Sequence, residues 1–175
     1  MINVRAIGAA DEAAYVDLLA RTSDDDRYYR FFRAVDHFEH ADVARFVEPQ
    51  SDVVGLIAFD DGRALGTAHA FMAEDRAEIA VIVAGDARRR GVGSALLAQL
   101  FASLGTARTR TVTALSLTDN YSFARLARRV GMTPSHAVGD GNVITWTLPL
   151  GPAAQTVCAV APPAAPLPPG RPIAA

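Results

Sequence analysis

Three arginines and two glycines stand together in Arg88-Arg89-Arg90-Gly91-Val92-Gly93-Ser94, where an apolar run gives way to a helical repeat. Glycine lets the backbone turn its N–H groups toward one point, a helix start adds the positive end of its dipole, and the arginines raise the local potential. The stretch reads as a cradle for an anion. It lacks the Gly-Lys-Ser/Thr of a Walker phosphate loop, and its arginines occupy the place where the glycines of a dinucleotide fingerprint would begin. One strand earlier, Glu78 heads the apolar run at 79–84. Partial loss of water there raises a carboxyl pKa toward the range in which it exchanges protons at neutral pH.

The elements that must position these groups follow from the hydrophobic period. Residues 2–7 alternate as a first strand, and 11–21 form a helix with Tyr15, Val16, Leu18 and Leu19 on its apolar side. The stretch 22–33 is acidic, then aromatic and basic, and predicts a short capped helix. Another helix spans 40–47 and stops before Pro49. From residue 52 the period changes. Strands are predicted at 53–59 and 64–72 around the turn Asp60-Asp61-Gly62-Arg63, with 76–83 as the third member of the meander. Val92, Leu96, Leu100 and Leu104 recur at helical spacing beside Leu97 and Phe101. A strand at 109–117, a helix at 120–130 ended by Gly131, and a strand at 142–148 complete a domain expected to span 1–149. Residues 150–175 are rich in proline and alanine and read as an extended tail.

The whole-chain numbers bound what this domain does. At 175 residues and 50% hydrophobic content there is enough chain for one well-cored unit. A formal net charge of −2 gives no global field for nucleic acid, so the positive charge that matters is local. All 17 basic residues are arginine. Cys158, the single cysteine, lies in the tail, which leaves neither a disulfide framework nor a thiolate zinc cluster. His37 and His40 have helical ligand spacing without a third ligand near in sequence, so capping or solvent roles are expected and no metal site is. His69 on a strand and Trp146 on the last strand are expected in packing. No apolar run approaches the roughly 20 residues of a membrane span, and a cytoplasmic protein is expected.

The spacing Arg88-x-x-Gly91-x-Gly93 resembles the Q/R-x-x-G-x-G/A signature of GNAT acyltransferases, whose loop holds the pyrophosphate of acetyl-coenzyme A. The element order over about 2–148 is also similar to theirs. Within that superfamily the likeness is to the bacterial Pat-type protein lysine acetyltransferases. It rests on Asp26-Arg27-Tyr28-Tyr29-Arg30-Phe31-Phe32, on 77–83, and on Asn120 through Gly131-Met132. The fold this implies is α/β (α+β), a mixed, mostly antiparallel central sheet flanked by helices on both faces. Since the sequence opens on its first strand, no regulatory domain and no cyclic-nucleotide control is expected.

The resemblance assigns roles residue by residue. The strand at Val81, Ile82 and Val83 splays from its neighbour, so that its backbone reads the pantetheine arm of acetyl-CoA as an added strand, and the N–H of Val83 or a neighbour serves as oxyanion donor. Arg88, Arg89, Arg90, Gly91, Val92, Gly93 and Ser94 form the pyrophosphate cradle, and Asn120 matches a cofactor-contacting asparagine while also suiting a helix N-cap. An amine acceptor, with a pKa near ~10.4, arrives protonated and needs a base; Glu78 matches the family's catalytic glutamate, with Glu74 or Asp75 able to act through water. Arg27, Tyr28 and Arg30 fall in the region that borders the acceptor, to orient it or to brace the loop. The tyrosine that protonates the departing thiolate in many GNAT enzymes is replaced by Ala127, leaving Tyr121, Ser122 or water for that task. The expected activity is acetyl transfer to an amine in a ternary complex, with a protein lysine side chain foremost, a small amine or amino acid second, and a non-catalytic coenzyme A sensor third. A lysine-free chain cannot regulate itself by acetylating its own lysines. Partners expected are acetyl-CoA and the acceptor, with no nucleic acid or membrane, and the sequence leaves the oligomeric state open.

Overall fold

Valine, isoleucine and alanine dominate three consecutive segments, Val53–Asp60 (β2), Arg63–Ala73 (β3) and Arg76–Val83 (β4), which pair antiparallel as a meander in the computed structural model. The structure describes residues 1–35, 38, 40–105, 109–136 and 141–150. Asn3–Ala6 (β1) joins the outer edge of β2. On the other side, Thr111–Leu117 (β5) runs parallel to β4, and Val143–Pro149 (β7) and Thr133–His136 (β6) follow antiparallel, so the sheet order is β1-β2-β3-β4-β5-β7-β6. This mixed, mostly antiparallel sheet is the fold class the sequence implies.

Helices cover both faces. Glu12–Ala20 (α1), Asp24–Phe31 (α2) and His40–Val47 (α3) lie on the face of His69, where Tyr15 and Phe46 meet its ring at centroid distances of 6.2 and 5.5 Å. Val92–Gly105 (α4) and Tyr121–Arg129 (α5) lie on the opposite face, where Leu96 packs over Gly66 and Phe123 meets Trp146 edge-on at 6.2 Å. The core joins the two sides: Tyr15, Leu18 and Leu19 from α1, and Leu96, Leu97, Leu100 and Leu104 from α4, are almost wholly buried. Burial of each such side chain contributes about 1.5–3 kcal/mol before entropy is counted.

The sequence expectations meet the structure closely along the meander and less well elsewhere. Val16, expected on the apolar side of α1, is 43% exposed, because the buried stripe runs through Tyr15, Leu18 and Leu19 and leaves Val16 a helical step to its side. The strand expected from 109 begins at Thr111. β6 has no counterpart in the expectation: Thr-Pro-Ser-His carries no apolar alternation, and proline is tolerated because the strand is the outer one of the sheet. His37 lies outside the described residues, as do the His40 side chain and the tail from 151, Cys158 included.

Gly66 in β3 sits where the sheet and α4 come nearest. A Cβ built there would lie 2.7 Å from the Ile82 carbonyl and 3.1 and 3.3 Å from Val83 and Leu96 side-chain atoms. Gly66→Ala is therefore expected to lower unfolding free energy by about 1–3 kcal/mol in chemical denaturation, the cost of overpacking. Gly105→Ala, at the end of α4 with nothing within 4 Å of the added carbon, is expected to leave stability unchanged or slightly higher.

Candidate active site

β4 is paired along its whole length to β3 but to β5 only through Arg76↔Thr111, Ala77↔Val112 and Glu78↔Thr113. Beyond Glu78 the two strands part. The amide of Ala84 donates to the Leu65 carbonyl at 2.9 Å, so by the alternation of a strand the even-numbered backbone groups of β4 turn to β3 and the odd-numbered ones turn away. Ile79, Val81 and Val83 thus present N–H and C=O groups to the opening. Ile82, expected to share in this, directs its carbonyl at Gly66 instead and offers the groove its flank alone.

The opening is one wall of a groove of about 1300 Å³. It runs from Arg76 and Glu78 along Val81 and Val83 to Arg88, Arg89 and the 91–94 segment, with Asn120, Ser122 and Phe123 of α5 opposite. That volume and shape fit a long, flexible ligand with an amide-bearing middle and an anionic end. At the anionic end, Arg89 and Gly91 hold φ of 62° and 84°, the left-handed conformations that turn the loop into α4. The first-turn N–H groups of α4 have no acceptor within the helix and face the groove. Gly93 admits α5 close against α4, since a Cβ there would stand 3.0 Å from Leu126.

The three arginines do not act alike. Arg88 lines the groove and is ion-paired to Asp26, Arg89 lines it with its side chain exposed, and Arg90 is drawn away to Asp60, which also holds the Met1 amine at 2.5 Å. The expectation that Arg90 joins the cradle is thereby corrected for its side chain. In α2 the pattern repeats. Arg27 braces the chain, donating to the carbonyls of Val35 at 3.0 Å and Thr22 at 2.7 Å, and Tyr28 is 45% exposed outside the groove. Of the three residues expected near the acceptor, Arg30 alone reaches the groove. Tyr29, not singled out for a site role, lines it too; burial, and then the Asp119 carboxylate that it hydrogen-bonds, hold its phenol above the ordinary range, so it stays protonated at neutral pH.

Glu78 projects from the α1–α3 face of β4, opposite Phe71 of β3 and beside Thr113. Water reaches its carboxyl, but the surrounding walls withdraw enough solvent to raise its pKa above the ordinary value, against a smaller lowering by Arg30. The direction is the one a base needs. Glu74 and Asp75 stand in the exposed β3–β4 turn, away from the groove. Asn120 lines the groove and also caps α5, its side-chain oxygen accepting from the Phe123 amide at 3.0 Å. Ala127 is fully buried, Tyr121 is 72% exposed outside the groove, and Ser122 lines it. His69 packs and donates from Nε2 to the Phe46 carbonyl, and Trp146 donates to Ser116.

Residues 16–132 match the acetyltransferase (GNAT) family. The chain belongs to that family. Its fold is similar to the GNAT domain of S. lividans PAT, with 28% identity, TM-score 0.79, and coverage of 85% of this chain and 90% of that one. At fold level it is similar to the ribosomal-protein-S18-alanine N-acetyltransferase of Escherichia coli (18% identity, TM-score 0.68, 86% and 95% covered). The same holds for the spermidine N-acetyltransferase of Vibrio cholerae, solved with CoA and spermine (12%, 0.67, 85% and 95%). Members of this GNAT family transfer acetyl groups, and in this chain Glu78, the 88–94 segment and the open edge of β4 line one groove.

The raised pKa of Glu78 makes a stability prediction. Folding favours the protonated carboxyl, so the folded protein binds more protons than the unfolded chain between the unfolded pKa near ~4.3 and the higher folded value. Stability attributable to Glu78 is present below that window and falls as pH rises through it. Denaturation curves taken from pH 4 to 8 are expected to show this fall in the wild type and its loss in Glu78→Gln; parallel pH profiles would remove the desolvation argument.

Proposed function

We propose that this protein is an acetyl-CoA-dependent N-acetyltransferase that modifies lysine side chains of other proteins by direct attack. One observation carries the reading: Glu78 stands where β4 leaves β5, in the same groove as the 88–94 cradle. When bound, acetyl-CoA supplies an activated thioester and a thiol as leaving group. The family fit of the groove supports it as donor, and the likeness to the S. lividans PAT domain supports a protein acceptor. The 88–94 segment holds the anionic end through backbone N–H groups and Arg88, and the Val83 N–H, turned to the opening, hydrogen-bonds the acyl oxygen as charge builds on it.

Glu78 takes the proton from the acceptor ammonium, directly or through water. The freed nitrogen bonds to the acyl carbon as the carbon–sulfur bond breaks; the sulfur leaves with the electron pair and takes up the second proton, which the new amide nitrogen sheds, directly or relayed by a groove hydroxyl or water. The tyrosine hydroxyl is absent at Ala127, and Ser122 and Tyr29 bring hydroxyls to the same groove that can relay that proton. Arg88, held by Asp26 through Nη2, keeps further N–H donors for a phosphate at the cradle.

A small-amine acceptor uses the same machinery, and buried, hydroxyl-free Ala127 favours a coenzyme A sensor as the non-enzymatic alternative. Radiolabelled acetyl-CoA incubated with a cell extract separates the three. Label in discrete protein bands is expected; because the chain has no lysine, those bands are not its own side chains. Label confined to small molecules overturns the protein acceptor, and no label despite bound coenzyme leaves the sensor. Glu78→Gln is expected to lower turnover by about 10²–10⁴-fold while coenzyme binding is retained; an unchanged rate removes Glu78 from the mechanism.

A further inference from the structure

Among the described residues Arg30 has no counter-ion. Its guanidinium lies over the rings of Phe31 and Phe46, with Cζ at 4.9 and 5.1 Å from their centroids, and its Nε and Nη2 are sealed from solvent without a hydrogen-bond partner. Every other arginine of α2 and the cradle that pairs does so with a carboxylate: Arg27 with Asp24, Arg88 with Asp26 and Arg90 with Asp60. Glu78 is near enough to feel the Arg30 charge, but no ion pair joins them among the described residues. A cation held this way, dry on two sides and lining the groove on another, is costly until a carboxylate reaches it.

Among the described residues the surrounding wall carries more positive than negative charge. Arg33, Arg45 and Arg76 line the groove on the side of Glu78, and of the nearby acids Asp42 already faces Arg33 at 3.5 Å. A phosphate end at the 88–94 cradle lies along β4 from this wall and does not account for it. We propose that the acceptor carries a carboxylate beside the amine it offers to Glu78, and that Arg30 binds this carboxylate. The proposal rests on the protein-lysine reading and deepens it: the favoured target is a lysine flanked by aspartate or glutamate, and a polycationic amine is disfavoured. A planar guanidinium lying over two rings is already ordered, so a charge-assisted bond to its Nη1 loses little rotamer freedom on forming. Phe31 and Phe46 would then be the parts that set its place, and Arg30 the residue that sets specificity.

The test measures acetylation of three synthetic peptides that differ only in the residues flanking one lysine, made acidic, neutral or basic, alongside free lysine and cadaverine, which lacks the carboxylate. The acidic peptide is expected to show about tenfold or more lower KM than the neutral one, with the basic peptide worst, and free lysine to outrun cadaverine. In Arg30→Gln the acidic-to-neutral ratio is expected to collapse toward one; the ratio is taken within one preparation, so partial unfolding scales both peptides alike. Arg30→Lys, which keeps the charge but not the planar group stacked on the two rings, is expected to restore part of it. A role of Arg30 confined to the charge of Glu78 would shift the pH profile equally for all peptides and leave the ratio intact. Equal KM for acidic and neutral peptides overturns the proposal while the protein-lysine reading stands. Transfer to small amines alone overturns that reading, and the lysine-to-cadaverine ratio then decides this one, equality overturning it. Transfer to no member of the panel overturns both.

Discussion

A strand in the middle of a sheet that is paired on one side only is an unstable arrangement unless something covers it. β4 is such a strand beyond Glu78: β3 takes the even-numbered backbone groups, β5 has turned off toward β7, and the odd-numbered N–H and C=O groups face a groove. In water these groups are hydrated. A ligand with amides of its own satisfies them as another strand would, and the sheet then reads as continuous. The rest of the fold serves this gap. The meander on one flank and the β5–β7–β6 unit on the other are each paired well enough to stand apart, and α4 and α5, packed through Gly93 and Leu126, hold the two flanks at a fixed separation behind the opening.

The second constraint is charge placement. α2 begins with a capping box in which the Ser23 hydroxyl accepts from the Asp26 amide at 3.2 Å while the Asp26 carboxylate accepts from the Ser23 amide at 3.0 Å. The same carboxylate holds Arg88. One aspartate therefore fixes the start of the helix that carries Arg30 and pins it to the loop that reads anions. The wall that carries Arg30 and the 88–94 loop are thus coupled through a single side chain.

How much of this was legible in the sequence depended on range. The strand period of 53–83 and the helical period of 92–104 are local, and each yields its element and its buried face directly. Glu78 and the 88–94 loop could be singled out because an acid at the head of an apolar strand, and arginines with glycines at a helix start, are written in consecutive residues; the fold brings them to one groove. What periodicity does not carry is direction. Nothing in Arg88-Arg89-Arg90 says that the third side chain will find Asp60, which lies at the far end of β2. Nor does the spacing of Arg27 and Arg30, one helical turn apart, tell which will be taken by the carbonyls of Thr22 and Val35 and which left free. β6 escaped because an outer strand with proline needs only a partner, here β7, and no pattern of its own.

The absence of lysine acquires a physical meaning in this setting. A thioester reacts with any free amine held beside it, and a lysine cation lining such a groove would spend some of its time deprotonated, the more so when partly buried. Guanidinium groups do not lose their proton at any working pH. Among the described residues the groove's positive charge comes from arginine alone, Arg30, Arg33, Arg45 and Arg76 at one end and Arg88, Arg89, Arg125 and Arg129 toward the other, a form that binds anions without competing as a nucleophile. The price is that charge cannot be adjusted by protonation at these positions, whereas Glu78 in the same groove is a carboxyl whose pKa is set between the dryness of the walls and the pull of Arg30.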